Sequence, residues 1–324
     1  MANRIEHRSV EANGINFHVA VSEPTGRRGR AQAPPPVLCL HGFPEGWMSW
    51  RLLMEQMPEA TLYAPDLRGY PGSDYPRRGY DVFTLTDDIK ALIEALDIER
   101  PILLGHDWGG ALGWIFAHRY SRLIRQLVVV NCPHPKTLLR AVLRFEDFQT
   151  LRIPWVPAFQ VPFLPEYLLT TTVGRKLLEL SFTLREGLDG KMDRSVVQDI
   201  VARFDHARDM RGAITYYRAL VRTLLLPWRR ARLEALYRHP ITVPTTLIWG
   251  MKDEALSANV AQKSDVDAGC PVDWRPLEGV GHFVDLEAPD LLAEEVRRVF
   301  AGSEMPDTKS WFESLDRVRD EVLA

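Results

Sequence analysis

A short apolar run, Ile102-Leu-Leu104, meets Gly105-His-Asp-Trp-Gly-Gly110 with no linker between them. A run of this length stopped by glycine reads as a buried strand, and a helical texture resumes after Gly110. A strand that turns into a helix so abruptly needs small residues two before and two after the apex. That is the outline of a nucleophile elbow, which lifts one side chain out of a parallel sheet. The apex is Asp107 instead of serine. A carboxylate is already charged at neutral pH, so it can attack an sp³ carbon without a base, leaving an ester that a second step must hydrolyse.

The rest of the chain supplies such a sheet. Residues 5–22 alternate loosely around Asn13-Gly14, a hairpin turn signal. Buried strands are expected at 37–40, 60–67, 127–130, 245–250 and 271–277, with an Arg-, Gly- and Pro-rich surface loop at 26–36. A helix carrying Ile89, Leu92, Ile93 and Leu96 on one face precedes the elbow strand, with Asp87 and Asp88 expected near its positive end. Strands alternating with helices imply a parallel sheet covered on both faces. From Cys132 the texture changes to proline clusters and Arg-rich helical segments, read as a helical insertion over residues 133–238. Residues 1–132 and 239–302 then form the α/β core, closed by a helix with Leu292, Val296 and Val299 on one side. Residues 303–324 add an amphipathic helix through Trp311, Leu315, Val318 and Val322, expected to pack on its own domain, with a homodimer contact as the alternative.

Composition narrows the partners. The 324 residues hold 43 acids and 40 lysines plus arginines, which gives no reason to expect nucleic acid or an anionic membrane. Neither a signal peptide nor a membrane span is read from the apolar runs, so a cytoplasmic protein is the default expectation. Cys39, Cys132 and Cys270 show no metal or redox spacing, and no phosphate-binding Gly loop is present, so neither metal nor organic cofactor is expected.

An ester on Asp107 needs an activated water. Asp253, just past the strand at 245–250, and His282, just past the last strand, follow the nucleophile in the chain order of this architecture. Strand ends on the carboxyl edge converge over one crevice. Histidine suits the base, and a buried carboxylate would fix its tautomer. Asn131 occupies the other position where the acid could stand, which favours Asp253. The backbone N–H groups of Phe43 and Trp108 are placed to receive the oxyanion of ester hydrolysis.

Taken together, His41-Gly-Phe-Pro-Glu45, Arg68-Gly-Tyr70, Gly105-His-Asp-Trp-Gly-Gly110, Asn131-Cys-Pro-His-Pro135 and Tyr216-Tyr-Arg-Ala219 resemble the epoxide hydrolase branch of the α/β-hydrolase fold, from about residue 4 to 300. The resemblance implies a mostly parallel eight-stranded sheet with a helical cap inserted after strand 6. It also implies opening of a hydrophobic epoxide by Asp107 to an alkyl-enzyme ester, with Tyr217 as acid to the epoxide oxygen. Water activated by His282, held by Asp253, would then release a vicinal diol. Glu45 is expected to hold water near the histidine, and Tyr216 and Trp155 to line the substrate site.

One departure stands out. The family usually has a second cap tyrosine five residues before the glutamine of Phe-Gln-x-Pro, and the matching residue here is Trp155. An indole N–H donates a hydrogen bond but does not give up its proton. Trp108 and Trp155 together would suit a haloalkane dehalogenase, which holds halide with indole pairs, although that relative usually has Asn at Phe43. A halo-acid dehalogenase would place arginine at Trp108, and an esterase would place serine at Asp107. A non-catalytic small-molecule receptor is the remaining alternative.

Overall fold

The structure is a computed structural model that describes residues 4–24, 34–183 and 192–302. The loop expected at 26–36 lies mostly outside the described residues, and the amphipathic stretch at 303–324 lies wholly outside them.

Eight strands form one sheet in the order β1-β2-β4-β3-β5-β6-β7-β8. β1 (Ile5–Ala12) and β2 (Ile15–Ser22) make the hairpin at Asn13-Gly14, and β2 runs antiparallel to β4 (Leu62–Pro65). From there β3 (Val37–Leu40), β5 (Ile102–His106), β6 (Gln126–Val130), β7 (Thr245–Gly250) and β8 (Val272–Leu277) are all parallel to their neighbours. The central strands are apolar throughout because both faces are covered. Val37, Cys39, Ile102 and Leu104 point to one side, against Leu292, Val296 and Val299 of helix Pro289–Gly302. Leu38, Leu40 and Leu103 point to the other, against Ile89 and Leu112. This is the α/β-hydrolase architecture expected from the elbow.

The first long helix, α1 (Val82–Ala95), departs from expectation at its start. Asp87 and Asp88 do not sit at its positive end. Asp81 is the cap, its carboxylate accepting from the N–H groups of Phe83 and Thr84 at 3.2 Å each. A short side chain just ahead of the first turn reaches those N–H groups, whereas residues further in cannot. Asp88 is instead buried and takes two 2.6 Å bonds from Arg68. The strand expected at 60–67 also shortens to Leu62–Pro65, since Asp66 leaves the ladder to bind Trp47 N–H and Arg203.

Between β6 and β7 the described residues form helices and no strand, from Pro135–Arg144 to Pro227–Leu236. This insertion is tied to the sheet by Tyr216, whose hydroxyl donates to Arg68 O at 2.9 Å, and by Gln149, which bonds Ala255 O and Ser257 N–H. Its two ends are pinned by a buried pair. His134, at its entrance, receives the Lys136 N–H on Nδ1, so its Nε2 carries the proton toward His118 Nε2 at 2.9 Å. His118 Nδ1–H then donates to His239 O, at the insertion's exit.

That chain of donors works only with both rings neutral. Burial pushes His118 down to about 4 and His134 well below its usual range. The unfolded chain binds protons at these sites below about pH 6.5 while the folded chain does not, so stability is lost as pH falls from there toward 4. For His118 alone the loss approaches about 3 kcal/mol. Thermal melting followed against pH is expected to fall over this interval in the wild type, less in His118→Gln, and least in His118→Gln/His134→Gln.

Candidate active site

The elbow holds its shape by the absence of side chains. A Cβ on Gly105 would come within 2.3 Å of Gly109 O, and one on Gly109 within 2.0 Å of Leu40 O. Asp107 is forced to φ 47°, a region L-residues rarely occupy and a usual mark of a strained functional turn. It ends β5 and opens helix α2 (Trp108–Tyr120), whose first N–H groups lack partners within the helix.

Three loops at the carboxyl edge of the sheet meet around this carboxylate. The loop after β3 brings Phe43 N–H to Asp107 Oδ1 at 3.0 Å, an approach so close that a Cβ on Gly42 would sit 2.6 Å from Asp107 Cβ. The loop after β8 brings His282, with Nε2 3.9 Å from Asp107 Oδ2 and Nδ1 2.7 Å from Asp253 Oδ2. The loop after β7 carries Asp253. Its Oδ1 accepts from the N–H groups of Ala255 and Leu256 at 2.7 and 2.8 Å, and its Oδ2 also accepts from Asn131 at 2.7 Å.

Burial alone would raise the Asp253 carboxyl. The facing His282 ring, the Leu256 N–H and the Asn131 amide outweigh it and hold the group below the usual carboxylate range. An ionised Asp253 fixes His282 with its proton on Nδ1 and Nε2 turned toward Asp107. Asn131, which sequence reading treated only as the wrong residue for the acid, is the prop of that acid. Its Oδ1 accepts Gly250 N–H at 2.8 Å while its Nδ2 serves Asp253.

Above the carboxylate the insertion closes the site with aromatic rings. Tyr217 lies 5.1 Å from Trp108, 5.4 Å from Phe43 and 5.1 Å from Phe159 between ring centroids, all edge-on. Trp155 begins the short helix Trp155–Ala158 that presents Phe159, one turn away, and is itself half-buried. Tyr216 is not in this lining as expected. Its ring is fully buried beside Tyr70 and Tyr80, and its hydroxyl is used on Arg68 O. Neighbouring residues on a helix point about 100° apart, and although both rings meet Trp108 edge-on, the Tyr216 hydroxyl turns to the core. Phe159 was missed as a lining residue, although the Phe-Gln-x-Pro motif that located Trp155 contains it.

Beneath the elbow lies a buried cluster that the sequence did not announce. His106 Nε2 donates to His282 O at 2.9 Å, and its Nδ1 faces Glu45 Oε1 at 2.8 Å and Asp285 Oδ1 at 3.6 Å. The other oxygen of Glu45 accepts Gly42 N–H at 2.6 Å. Burial alone would lower His106, but Glu45 and Asp285 hold it well above its usual range. Burial raises Asp285 to about 8, helped by Glu45 and opposed by His106. Two carboxyls and a ring nitrogen within 4.8 Å of one another resemble a cation site in composition.

Among the described residues no helix is long and apolar enough to cross a membrane.

Comparison with known proteins agrees with this geometry. The family model for the alpha/beta hydrolase fold matches residues 35–289. Human epoxide hydrolase 4 is 30% identical over 289 residues, covering 87% of this chain and 75% of the relative. The AB hydrolase superfamily protein YfhM of Bacillus subtilis is 34% identical over 293 residues, covering 87% of this chain and 93% of the relative. Among solved structures, epoxide hydrolase VrEH1 from Vigna radiata is similar with a TM-score of 0.72 and 26% identity, over 92% of this chain and 98% of that one. A nucleophile-type elbow on an eight-stranded sheet, matched along most of its length, places this chain in the α/β-hydrolase superfamily, in its epoxide hydrolase branch.

Proposed function

We propose that the protein hydrolyses a hydrophobic epoxide to a vicinal diol through a covalent ester on Asp107. The observation that carries the reading is one carboxylate, Asp107, held by Phe43 N–H on one oxygen and faced by the Asp253-bound His282 near the other. In the first step Asp107 Oδ2 bonds to an epoxide carbon. The ring C–O bond breaks, and its electron pair goes to the oxygen, which takes the Tyr217 proton. In the second step His282 Nε2 takes a proton from water, and the hydroxide adds to the ester carbon. The N–H groups of Phe43 and Trp108 hold the oxyanion. Collapse expels the diol oxygen, which takes the proton back from His282. The proton left on the new Asp107 carboxyl restores Tyr217.

The rings of Phe43, Trp108, Phe159 and Tyr217 suit an apolar substrate and keep bulk water from the ester. In this reading the insertion is a cap, and the 133–238 boundary separates the roof of the site from its floor. Trp155 contributes a second donor at most. Tyr217→Phe is therefore expected to slow ring opening by about 10²-fold, and Trp155→Phe by much less, as read from single-turnover rates. Equal small losses would place the leaving-group acid elsewhere.

The reaction class is tested by offering terminal, aryl and internal epoxides beside chloro- and bromoalkanes, reading diol and halide together. Diol release is expected, and halide release alone would overturn the proposal in favour of dehalogenation.

A further inference from the structure

Over the whole chain acids and bases nearly cancel, but one corner of the helical insertion does not share that balance. Helix Ala207–Leu225, which carries Tyr217, ends where Pro227 opens helix Pro227–Leu236. From 222 to 238 the sequence holds Arg222, Arg229, Arg230, Arg232 and Arg238 against a single acid, Glu234. At the apex of the corner Leu225 is 74% exposed and Trp228 67%. Pro227, Arg229, Arg230 and Ala231 around them are exposed as well, so the corner projects instead of lining a groove. Arg230 pairs with Glu234 at 2.7 Å, and Arg232 lies over the Phe83 ring. Arg222 and Arg229 face solvent beside the apolar pair.

A large apolar side chain left in water at a protruding tip marks a contact surface when others join it. The chemistry of this tip is specific. An indole is amphipathic and settles at the level of lipid headgroups, a leucine beside it reaches the acyl boundary, and guanidinium groups match phosphates. A nucleic acid would satisfy the arginines and leave Leu225 in water. A protein partner would need a cavity that is apolar at its bottom and acidic at its rim. We propose that the Leu225–Trp228 corner docks the protein on an anionic lipid surface. Such docking departs from the expectation, drawn from balanced net charge and the apolar runs, that no membrane is involved. Leu225 lies eight residues beyond Tyr217 on one helix, about 12 Å along its axis. If the proposed hydrolysis holds, docking sets the roof of the site next to the phase in which apolar epoxides dissolve.

Flotation of the full chain with phosphatidylcholine vesicles, with and without phosphatidylglycerol, tests the proposal. Binding is expected only to the phosphatidylglycerol vesicles, and is expected to weaken with salt. L225S/W228S and R222Q/R229Q should each bind roughly tenfold or more weakly. Unchanged melting temperatures would show that both variants fold, and unchanged release of diol from a water-soluble epoxide would separate docking from catalysis. No flotation of the wild type, equal flotation with neutral vesicles, or undiminished binding by the variants would overturn the proposal. So would light scattering that shows a wild-type dimer converted to monomer by L225S/W228S, which would make the corner a contact between two copies of the chain.

Discussion

Replacing Asp107 by alanine is expected to lower diol formation by at least about 10⁴-fold, to the level of the uncatalysed reaction within assay error. The other groups at the site can orient a substrate, but none of them supplies a charged nucleophile on the elbow. Asp253 is fully engaged with His282, Asn131 and two backbone N–H groups, so it does not stand in. The backbone at 107 has φ 47° and ψ −114°, a strained region that costs about 1–3 kcal/mol for alanine as for aspartate. Melting temperature measured beside the rate separates that strain from loss of chemistry. A variant that melts within a few degrees of the wild type and still turns over at a tenth of its rate would show that water attacks the epoxide directly.

The second large effect is of a different kind. His282→Gln should leave ring opening in place and stop the reaction afterward, so that steady-state turnover falls by roughly 10³- to 10⁴-fold while a burst of about one equivalent survives. The reason is positional. His282 Nε2 stands 3.9 Å from Asp107 Oδ2, beside the carbon a water must reach, and it is the base that Asp253 orients. Glutamine keeps a polar side chain of similar reach but takes no proton from water. Intact mass of the variant after a short exposure to substrate is expected to rise by the mass of the epoxide. Digestion should then place the adduct on the peptide carrying Asp107. An unmodified mass from a variant that consumed one equivalent of epoxide would contradict the ester.

The elements that carry this chemistry were legible in the sequence to an uneven degree. Asp107, Asp253 and His282 could be named because each lies just past the carboxyl end of a strand, and parallel strands deliver those ends to one crevice. The sheet itself was legible for the same reason: strands covered on both faces read as uninterrupted apolar runs. What was lost depends on direction or on distant pairing. Tyr216 and Tyr217 are chemically alike, and the face each takes is settled by Arg68 O, well over a hundred residues away. Asp87 and Asp88 looked like helix-end charges because the true cap, Asp81, lies outside the apolar period that marked the helix. Glu45, His106 and Asp285 come from the loop after β3, the end of β5 and the short helix Val284–Glu287, and no spacing in one dimension announces such a meeting. The exposure of Leu225 and Trp228 likewise depends on how the insertion packs, which no local pattern shows.

The cluster around His106 has a consequence for how such a protein can change. One ring fastens the loop behind Phe43, the turn that bears Asp107 and the backbone of His282 into a single rivet. A substitution there would be felt at three points of the site at once. The roof meets the floor at separate points, among them Tyr216 on Arg68 O, Arg203 on Asp66 and Thr137 on Asp267. A change at any one of those leaves the others in place, so the roof has more freedom to change than the floor.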